Sequence, residues 1–303
     1  MRLTLSVIIM LLGALSAQAQ QPPGSDIWML TLSPATAEES QVTVIEWRQI
    51  TDAPFYHNQP YFSADGAVLY YTAADAAGQT DLYQYNMATS TTRNITQSST
   101  SEYSPTPRST QPALSGIWVD KNGKQWLAQW SFDAPQPQKL LDVEPIGYHV
   151  WLNDSEVLVF VLSTEEGGKH SLQRATILPT SNNPRIIDTD IGASLWAIPQ
   201  QPDKFSYSKR IGDVHYLMEY DASSHRTRRL ALLPTSSQYY AWTPDGRAVT
   251  VNAEQNGLIS WAYGAKDGWQ AYVSIAEQCP AGASRLVFST QGTQLALVCQ
   301  RSQ

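Results

Sequence analysis

Ten polar and aromatic residues recur along this chain at nearly equal spacing, and their side chains are of the types that bind ligands. They form six groups, each two to five positions before an aligned position that is aromatic in five of six cases. Such side chains combine flat contact surfaces with hydrogen-bonding groups, which suits a pocket with a few convergent polar atoms. The ten candidates are His57, Asn58, Glu102, Tyr103, Tyr148, His149, Ser194, Tyr239, Tyr240 and Arg285.

Glu102 and His149 are the candidates with the widest range of possible chemistry. Glu102 is the one carboxylate of the ten, and it either anchors a cation or a substrate amine or forms a structural ion pair with Arg285. His149 either holds a carbonyl of a neighbouring repeat or acts as a ligand or base. The two together are also the candidate acid–base pair, a role that requires both groups within hydrogen-bonding reach of the substrate.

Other kinds of reactive site have little support in the sequence. His57, His149 and Glu102 are the residue types of a two-histidine, one-carboxylate metal site, but no HxH or HxxxH spacing accompanies them. Residues 192–196, GASLW, lack the second glycine of a Gly-x-Ser-x-Gly nucleophile turn. We therefore predict no metal, no cofactor and no catalytic residue.

A repeat of about 45 residues positions the candidates. Each copy resembles residues 61–71, YFSADGAVLYY, in which two β-prone runs flank an Asp-Gly turn, the pattern typical of a β-hairpin. A period of this length with four short strands per copy predicts an all-β fold, a six-bladed β-propeller of four-stranded antiparallel blades. The aligned positions, 44 to 46 residues apart, are Phe62, Thr106, Trp151, Trp196, Trp242 and Phe288.

The two ends of the repeat array are complementary halves of one blade. Residues 26–51 match the second half of a copy, and residues 286–298 match only the first half. We therefore predict that N-terminal outer strands join C-terminal inner strands and close the ring, which leaves no free sheet edge at the seam. The second copy lacks the Asp-Gly turn and has three prolines, so we expect a longer loop in its first hairpin.

The repeat resembles that of TolB-like six-bladed propellers. The resemblance rests on the hairpin phrase, as in YYAWTPDGRAVTV at 239–251, and on the closing phrases Asn94-Ile95-Thr96 and Gln49-Ile50-Thr51. Two further stretches, EYSPT at 102–106 and GYHVW at 147–151, look like motifs of exported members of that family. The resemblance implies the propeller architecture over nearly the whole chain, residues 20–303, and leaves the function open because such propellers have many roles.

Residues 1–19 are predicted to be a signal peptide. Arg2 precedes a short apolar run, and Ala17-Gln18-Ala19 offers a small-x-small cleavage site. No later apolar stretch is long enough for a membrane span. The formal net charge is −7 and becomes −8 when Arg2 is removed, which argues against nucleic acid as a partner. We expect a periplasmic or secreted monomer that is not inserted in the membrane.

Cys279 and Cys299 flank the last hairpin, and in an exported protein they either form a disulfide or remain as two core thiols.

For function, we predict a non-catalytic binding or scaffold propeller that recognises a periplasmic or envelope protein or peptide at the mouth of the central channel. The alternative is a hydrolase or lyase that acts on a sugar or peptide fragment in the channel.

Overall fold

The computed structural model describes residues 23–33, 42–179, 184–234, 237–254 and 256–301, and the predicted signal peptide lies outside these ranges. All regular elements within them are β-strands. In chain order the strands are β1 (Ser25–Leu32), β2 (Val44–Gln49), β3 (His57–Phe62), β4 (Val68–Ala74), β5 (Thr80–Asn86), β6 (Thr91–Asn94), β7 (Ser101–Pro107), β8 (Ala113–Val119), β9 (Gln125–Ser131), β10 (Ala134–Lys139), β11 (Ile146–Trp151), β12 (Glu156–Val161), β13 (Ser171–Thr176), β14 (Arg185–Thr189), β15 (Ile191–Ala197), β16 (Lys204–Ile211), β17 (Val214–Asp221), β18 (Arg226–Leu232), β19 (Tyr240–Trp242), β20 (Arg247–Asn252), β21 (Gly257–Ala262), β22 (Gln270–Ser274), β23 (Ala283–Phe288) and β24 (Gln294–Gln300).

These strands form six four-stranded antiparallel sheets, as predicted for a six-bladed propeller. We number the blades so that blade 1 is β3–β6, blade 2 is β7–β10, and so on to blade 5, β19–β22. Blade 6 has the strand order β23-β24-β1-β2 from inside to outside. The first strand of each blade is its inner strand, and the six inner strands surround the central channel.

Blade 6 closes the ring with strands from both ends of the chain, as predicted. Strand β1 pairs with β24 over seven residues, from Ser25 opposite Gln300 to Thr31 opposite Gln294. Arg301, just beyond β24, forms ion pairs with Asp26 and Asp52. The seam is therefore held by backbone hydrogen bonds and by charge pairing, and it leaves no unpaired edge between the two ends.

The Asp-Gly turns form the hairpins that the sequence predicts. In blade 1 the Asp65 carboxylate accepts hydrogen bonds from the Ser63 hydroxyl (2.6 Å) and the Ala67 amide (3.0 Å). Gly66 has a φ of 72°, a conformation that only glycine adopts without strain. The expectation of a longer loop in blade 2 is wrong. Its first two strands are connected by residues 108–112, a loop of the same length as residues 63–67 of blade 1.

Apolar side chains pack between neighbouring blades. Each of the six blade interfaces has its own cluster of buried residues among those described. The interface of blades 6 and 1, for example, joins Ile27 and Val298 to Leu69 and Tyr71. Because both faces of the inner and middle strands are covered by neighbours, strands such as β24 (QLALVCQ) have continuous apolar runs.

Cys279 and Cys299 are joined by a disulfide, with their Cα atoms 5.2 Å apart. Both side chains lie in the apolar cluster between blades 5 and 6. The bond links the loop before β23 to the last residues of β24.

Within the described ranges, no helix has the length and apolar character of a membrane span.

Candidate functional site

A cavity of about 380 Å³ lies inside the ring and is lined by residues from all six inner strands or their ends. Blades 2 and 3 contribute most of the wall, so the cavity lies off the ring axis. Its exposed lining residues, Ser109, Asn153, Asp154 and Ala197, follow or end inner strands. The cavity therefore opens at the end of the ring where the first hairpins of the blades turn.

A pair of aromatic rings fills the other side of the channel. Tyr61 of blade 1 and Trp196 of blade 4 stack across the ring, with centroids 5.8 Å apart and planes inclined by 17°. The Trp196 indole N–H donates to the carbonyl of Tyr240 in blade 5 at 2.7 Å. These contacts fix Trp196 in the channel, so the free space is confined to the side of blades 2 and 3.

Arg285 and a group of tyrosines form the inner end of the cavity. Its guanidinium lies 4.0 Å from the ring centroid of Tyr239 and 4.8 Å from that of Tyr148, and it donates to the Tyr148 hydroxyl. Tyr56 and Tyr103 are close enough to interact electrostatically with this group. Burial raises the pKa of Tyr56 and of Tyr239, although the Arg285 cation partly offsets the rise. Tyr56 and Tyr239 are therefore neutral near pH 7, and the group of tyrosines surrounds a cation.

Arg108 and Trp151 form the outer part of the wall. The Arg108 guanidinium carbon lies 3.5 Å from the centroid of the Trp151 ring, a close cation–π stack. Its Nη2 donates to the main-chain carbonyl of Asp154 at 2.8 Å. Burial lowers the pKa of Arg108, and the nearby Asp154 acts in the opposite direction. A guanidinium remains charged under these conditions, so this wall is cationic.

His149 lines the cavity as a neutral imidazole. Its Nε2 lies 2.7 Å from the Ser115 hydroxyl, which also accepts the Trp151 indole N–H at 2.9 Å. Nδ1 is buried and has no hydrogen-bond partner within the described residues. Burial, with a further contribution from the Arg108 cation, lowers the pKa of His149 to about 3. The imidazole of His149 is therefore held by the Ser115 hydroxyl of blade 2, and not by a main-chain carbonyl of a neighbouring blade.

Glu102 is placed between blades 1 and 2, and it is not among the residues that line the cavity. Its Oε1 accepts hydrogen bonds from Ser98 (2.7 Å) and Thr100 (2.8 Å), and its Oε2 is buried without a partner among the described residues. Burial raises its pKa to about 7, and these hydroxyl hydrogen bonds offset part of the rise. Of the two alternatives for Glu102, the ion pair with Arg285 is not formed, because Arg285 contacts tyrosines instead.

The structure also keeps Glu102 and His149 from acting as one acid–base pair. Each has its own hydroxyl partners, on Ser98 and Thr100 for Glu102 and on Ser115 for His149. Because Glu102 is absent from the cavity lining, a ligand in the cavity meets the imidazole but not the carboxyl group. The geometry therefore does not support the acid–base roles that the sequence suggested for these two residues.

Six of the ten candidates line the cavity, and four do not. His57 and Asn58 lie beside the seam, where the His57 Nδ1 is 3.0 Å from the Ser25 carbonyl oxygen and the Asn58 side chain accepts from the Gln59 amide at 2.8 Å. Glu102 and Tyr103 are the other two outside the lining. The six that line the cavity are Tyr148, His149, Ser194, Tyr239, Tyr240 and Arg285.

Arg108 is a cationic lining residue that the sequence-based reasoning missed. It follows the aligned position of blade 2, whereas the candidates were counted before that position. A signal was nevertheless present, because the second copy alone among the repeats combines three prolines with no Asp-Gly turn. In this copy the first hairpin loop contributes Arg108 to the cavity wall as well as forming the turn.

No cluster of three or more His, Cys, Asp or Glu side chains suited to a metal ion is present in the part of the chain that the structure describes. His57 and His149 have separate partners on the seam and on blade 2. The three residues considered for a two-histidine, one-carboxylate site are thus not assembled into one. The groups available to a ligand in the cavity include two arginines, aromatic rings, hydroxyls, side-chain amides, a neutral imidazole and the exposed carboxylate of Asp154.

No protein-family model matches the chain, and no curated protein matches it in sequence. Solved structures are similar to it in fold. TolB from Acinetobacter baumannii superposes with a TM-score of 0.58 at 13% identity, over 92% of this chain and 65% of that one. A candidate TolB from Agrobacterium tumefaciens gives 0.63 at 9% identity, over 93% of this chain and 100% of that one.

An oligogalacturonate lyase from Vibrio parahaemolyticus is also similar, with a TM-score of 0.56 at 12% identity, over 83% of this chain and 80% of that one. This chain spans less than two thirds of the Acinetobacter TolB. At these identities the likeness shows the fold alone, and the same fold accompanies a lyase in one neighbour and TolB in others. The fold predicted from the repeat is confirmed.

Proposed function

We propose that this chain, whose fold is that of the TolB-like six-bladed propellers, is an exported binding propeller that recognises a protein or peptide through its central cavity. The proposal treats the chain as a non-catalytic, monomeric protein of the periplasm or envelope. It differs from the sequence-based hypothesis in the place of binding. The ligand enters at the end where the first hairpins turn, and not at the end that precedes the inner strands.

The observation that carries the proposal is the open cavity of about 380 Å³ with contributions from all six inner strands. Its volume falls within the range of pockets that bury a compact ligand. The stacked pair Tyr61 and Trp196 narrows the channel from the side, and a ligand that enters from the hairpin end meets Arg285 and its tyrosines at the inner end. A pocket of this shape suits the end of a chain or a projecting loop better than a strand that passes through.

The chemistry of the wall supports recognition of a peptide. Six of its lining residues are tyrosine or tryptophan, and such side chains carry much of the energy of protein–protein contacts. Their positions are fixed by hydrogen bonds, as with Trp151 on Ser115 and Trp196 on the Tyr240 carbonyl. A wall that is ordered before the ligand arrives loses less conformational entropy on binding.

Export is supported by the predicted signal peptide at residues 1–19 and by the disulfide between Cys279 and Cys299. Disulfides of this kind persist in oxidising compartments. Cell fractionation followed by mass measurement of the purified protein tests the assignment. We expect the protein in the periplasmic fraction with a mass that corresponds to a chain beginning at Gln20.

Capture of partners from periplasmic extract tests the binding function. The variant Ala193→Phe fills part of the cavity from β15, and Ala134→Phe adds the same side chain at an exposed position on outer strand β10. We expect the wild-type protein and Ala134→Phe to capture the same partner, identified by mass spectrometry, and Ala193→Phe to lose it. Equal recovery by all three proteins would refute binding through the cavity.

A further inference from the structure

Arg108 is a buried cation that forms no salt bridge with a carboxylate of the described structure, although Asp154 interacts with it electrostatically. Its side chain is 8% exposed, and no carboxylate oxygen of a described residue lies within 4.0 Å of its guanidinium nitrogens. Nη2 is hydrogen-bonded to the Asp154 carbonyl, whereas Nη1 is buried without a hydrogen-bond partner. A buried charge that lacks hydrogen bonds is costly to keep in a folded protein.

Arg285, at the inner end of the same cavity, is also without a carboxylate partner among the described residues. It is held between the rings of Tyr148 and Tyr239 and bonded to one phenol. Tyrosine rings and phenols stabilise a guanidinium but leave its positive charge uncompensated. The cavity therefore has a cation at each end.

Among the described residues, Asp154 is the one acidic side chain on the cavity wall, and it is exposed at the rim. Its Oδ1 accepts from the Thr110 hydroxyl at 2.8 Å, and its carboxylate forms no salt bridge with Arg108. His149, the remaining titratable group near Arg108, is neutral. The wall is thus positive in a chain whose formal net charge is −7, so the cavity attracts anions against the overall charge of the protein.

We propose that Arg108 binds a carboxylate of the ligand, and that Arg285 adds long-range attraction from the inner end of the cavity. The inference rests on the proposed function and specifies the group that the cavity recognises. The carboxylate is either the free C-terminus of a peptide or an Asp or Glu side chain, since both present the same planar group to a guanidinium. Nη1 is buried in this structure, so on binding the guanidinium turns in its own plane on the Trp151 ring to bring Nη1 to the carboxylate oxygen.

Three small probes test the proposal on the full mature protein. N-acetyl-phenylalanine carries a terminal carboxylate, N-acetyl-Asp-Phe-amide carries a side-chain carboxylate, and N-acetyl-Asn-Phe-amide carries neither. Binding is followed by calorimetry and by the NMR signal of the Arg108 side-chain N–H, which is assigned by its loss in Arg108→Lys. We expect at least one carboxylate probe to bind and shift this signal, with the neutral probe about 10- to 100-fold weaker.

Arg108→Gln removes the charge, and Arg226→Gln does the same at an exposed position on β18. We expect the carboxylate probe to lose about 10- to 100-fold in affinity for the first variant and none for the second. Arg108→Lys keeps the charge without the forked geometry and should fall between these two. Thermal unfolding of each variant shows that it is folded under the conditions of the titration.

Equal binding of the neutral and carboxylate probes, no binding of any probe, or carboxylate binding that Arg108→Gln leaves unchanged would each overturn the inference. These outcomes are separate from the fate of the proposed function. Partner capture that depends on the cavity but tolerates Arg108→Gln would leave peptide binding in place and remove the carboxylate. Probe binding that depends on Arg108, without any captured partner, would support the anion site and contradict protein recognition.

Discussion

The substitution Glu102→Gln should make the protein more stable at neutral pH and leave it little changed in acid. Glu102 is 0% exposed, and one of its carboxyl oxygens has no hydrogen-bond partner among the described residues. Glutamine has nearly the same shape and retains the oxygen that accepts from Ser98 and Thr100. The change therefore removes a buried charge while it leaves the two observed hydrogen bonds available.

The size and direction of this stability change follow from the pKa of Glu102, which burial raises from 4.5 to about 7. Between these two values the folded state holds the proton more tightly than the unfolded state, so the free energy of unfolding decreases as the pH rises. Above pH 7 the accumulated loss is about 3 kcal/mol. Below pH 4.5 the carboxyl group is protonated in both states, and the loss disappears.

Denaturant titrations from pH 4 to pH 8 measure this effect directly. We expect the difference in unfolding free energy between Glu102→Gln and wild type to grow by about 2–3 kcal/mol in favour of the variant from pH 4.5 to pH 8. Glu166→Gln, at an exposed loop position, serves as the control for the loss of one negative charge. A difference for Glu102→Gln that does not vary with pH would refute the argument that burial holds the proton on this carboxyl group.

Three further predictions concern other parts of the ring. His149, whose pKa is lowered to about 3, should cost the wild-type protein about 3 kcal/mol of stability between pH 6.5 and pH 4, because only the unfolded state takes up a proton there; His149→Gln should lack this acid-limb dependence in denaturant titrations. The double variant Cys279→Ser/Cys299→Ser opens a loop with a sequence separation of 20 and should lower the unfolding free energy by about 3 kcal/mol; equal unfolding free energies for the variant and the oxidised wild type in denaturant titrations would contradict this. Gly116→Ala should cost about 1–3 kcal/mol, because the new Cβ would lie 2.7 Å from the Tyr103 carbonyl oxygen and 3.2 Å from the Trp130 ring; Gly268→Ala, where no atom lies within 4 Å, is the matched control, and equal melting temperatures for the two variants would refute the steric argument.

The repeat architecture was predictable from the sequence because each turn and strand is determined by residues that are close together along the chain. Asp65-Gly66 and Asp245-Gly246 determine tight turns, and the aromatic or apolar runs on either side of them are strands in any context that covers both faces. The period of about 45 residues then fixes the number of blades, and the two half-copies at the ends fix how the ring closes. Each of these inferences needs only residues that are near one another in the sequence.

The side-chain partners of the candidate site were decided only by the tertiary structure. Whether Glu102 meets Arg285 depends on how far the inner strands rotate about their own axes, and a small rotation exchanges a channel-facing position for one between blades. Glu102 consequently lies against Ser98 and Thr100, and Arg285 lies between tyrosines. The tyrosines around Arg285 come from distant repeats and have no signature in the sequence, whereas Ser98 and Thr100 lie only four and two residues from Glu102.

The sequence by itself determined the all-β class, the six blades, the seam between the chain ends and the cysteine pair as a possible disulfide. The tertiary structure decided which end of the channel is open, that Tyr61 and Trp196 stack across it, and that Arg108 stands in its wall on the face of Trp151. The physical reason is the range of the interactions. Turns and strands arise from neighbours along the chain, whereas a cavity is the space that six distant segments leave between them.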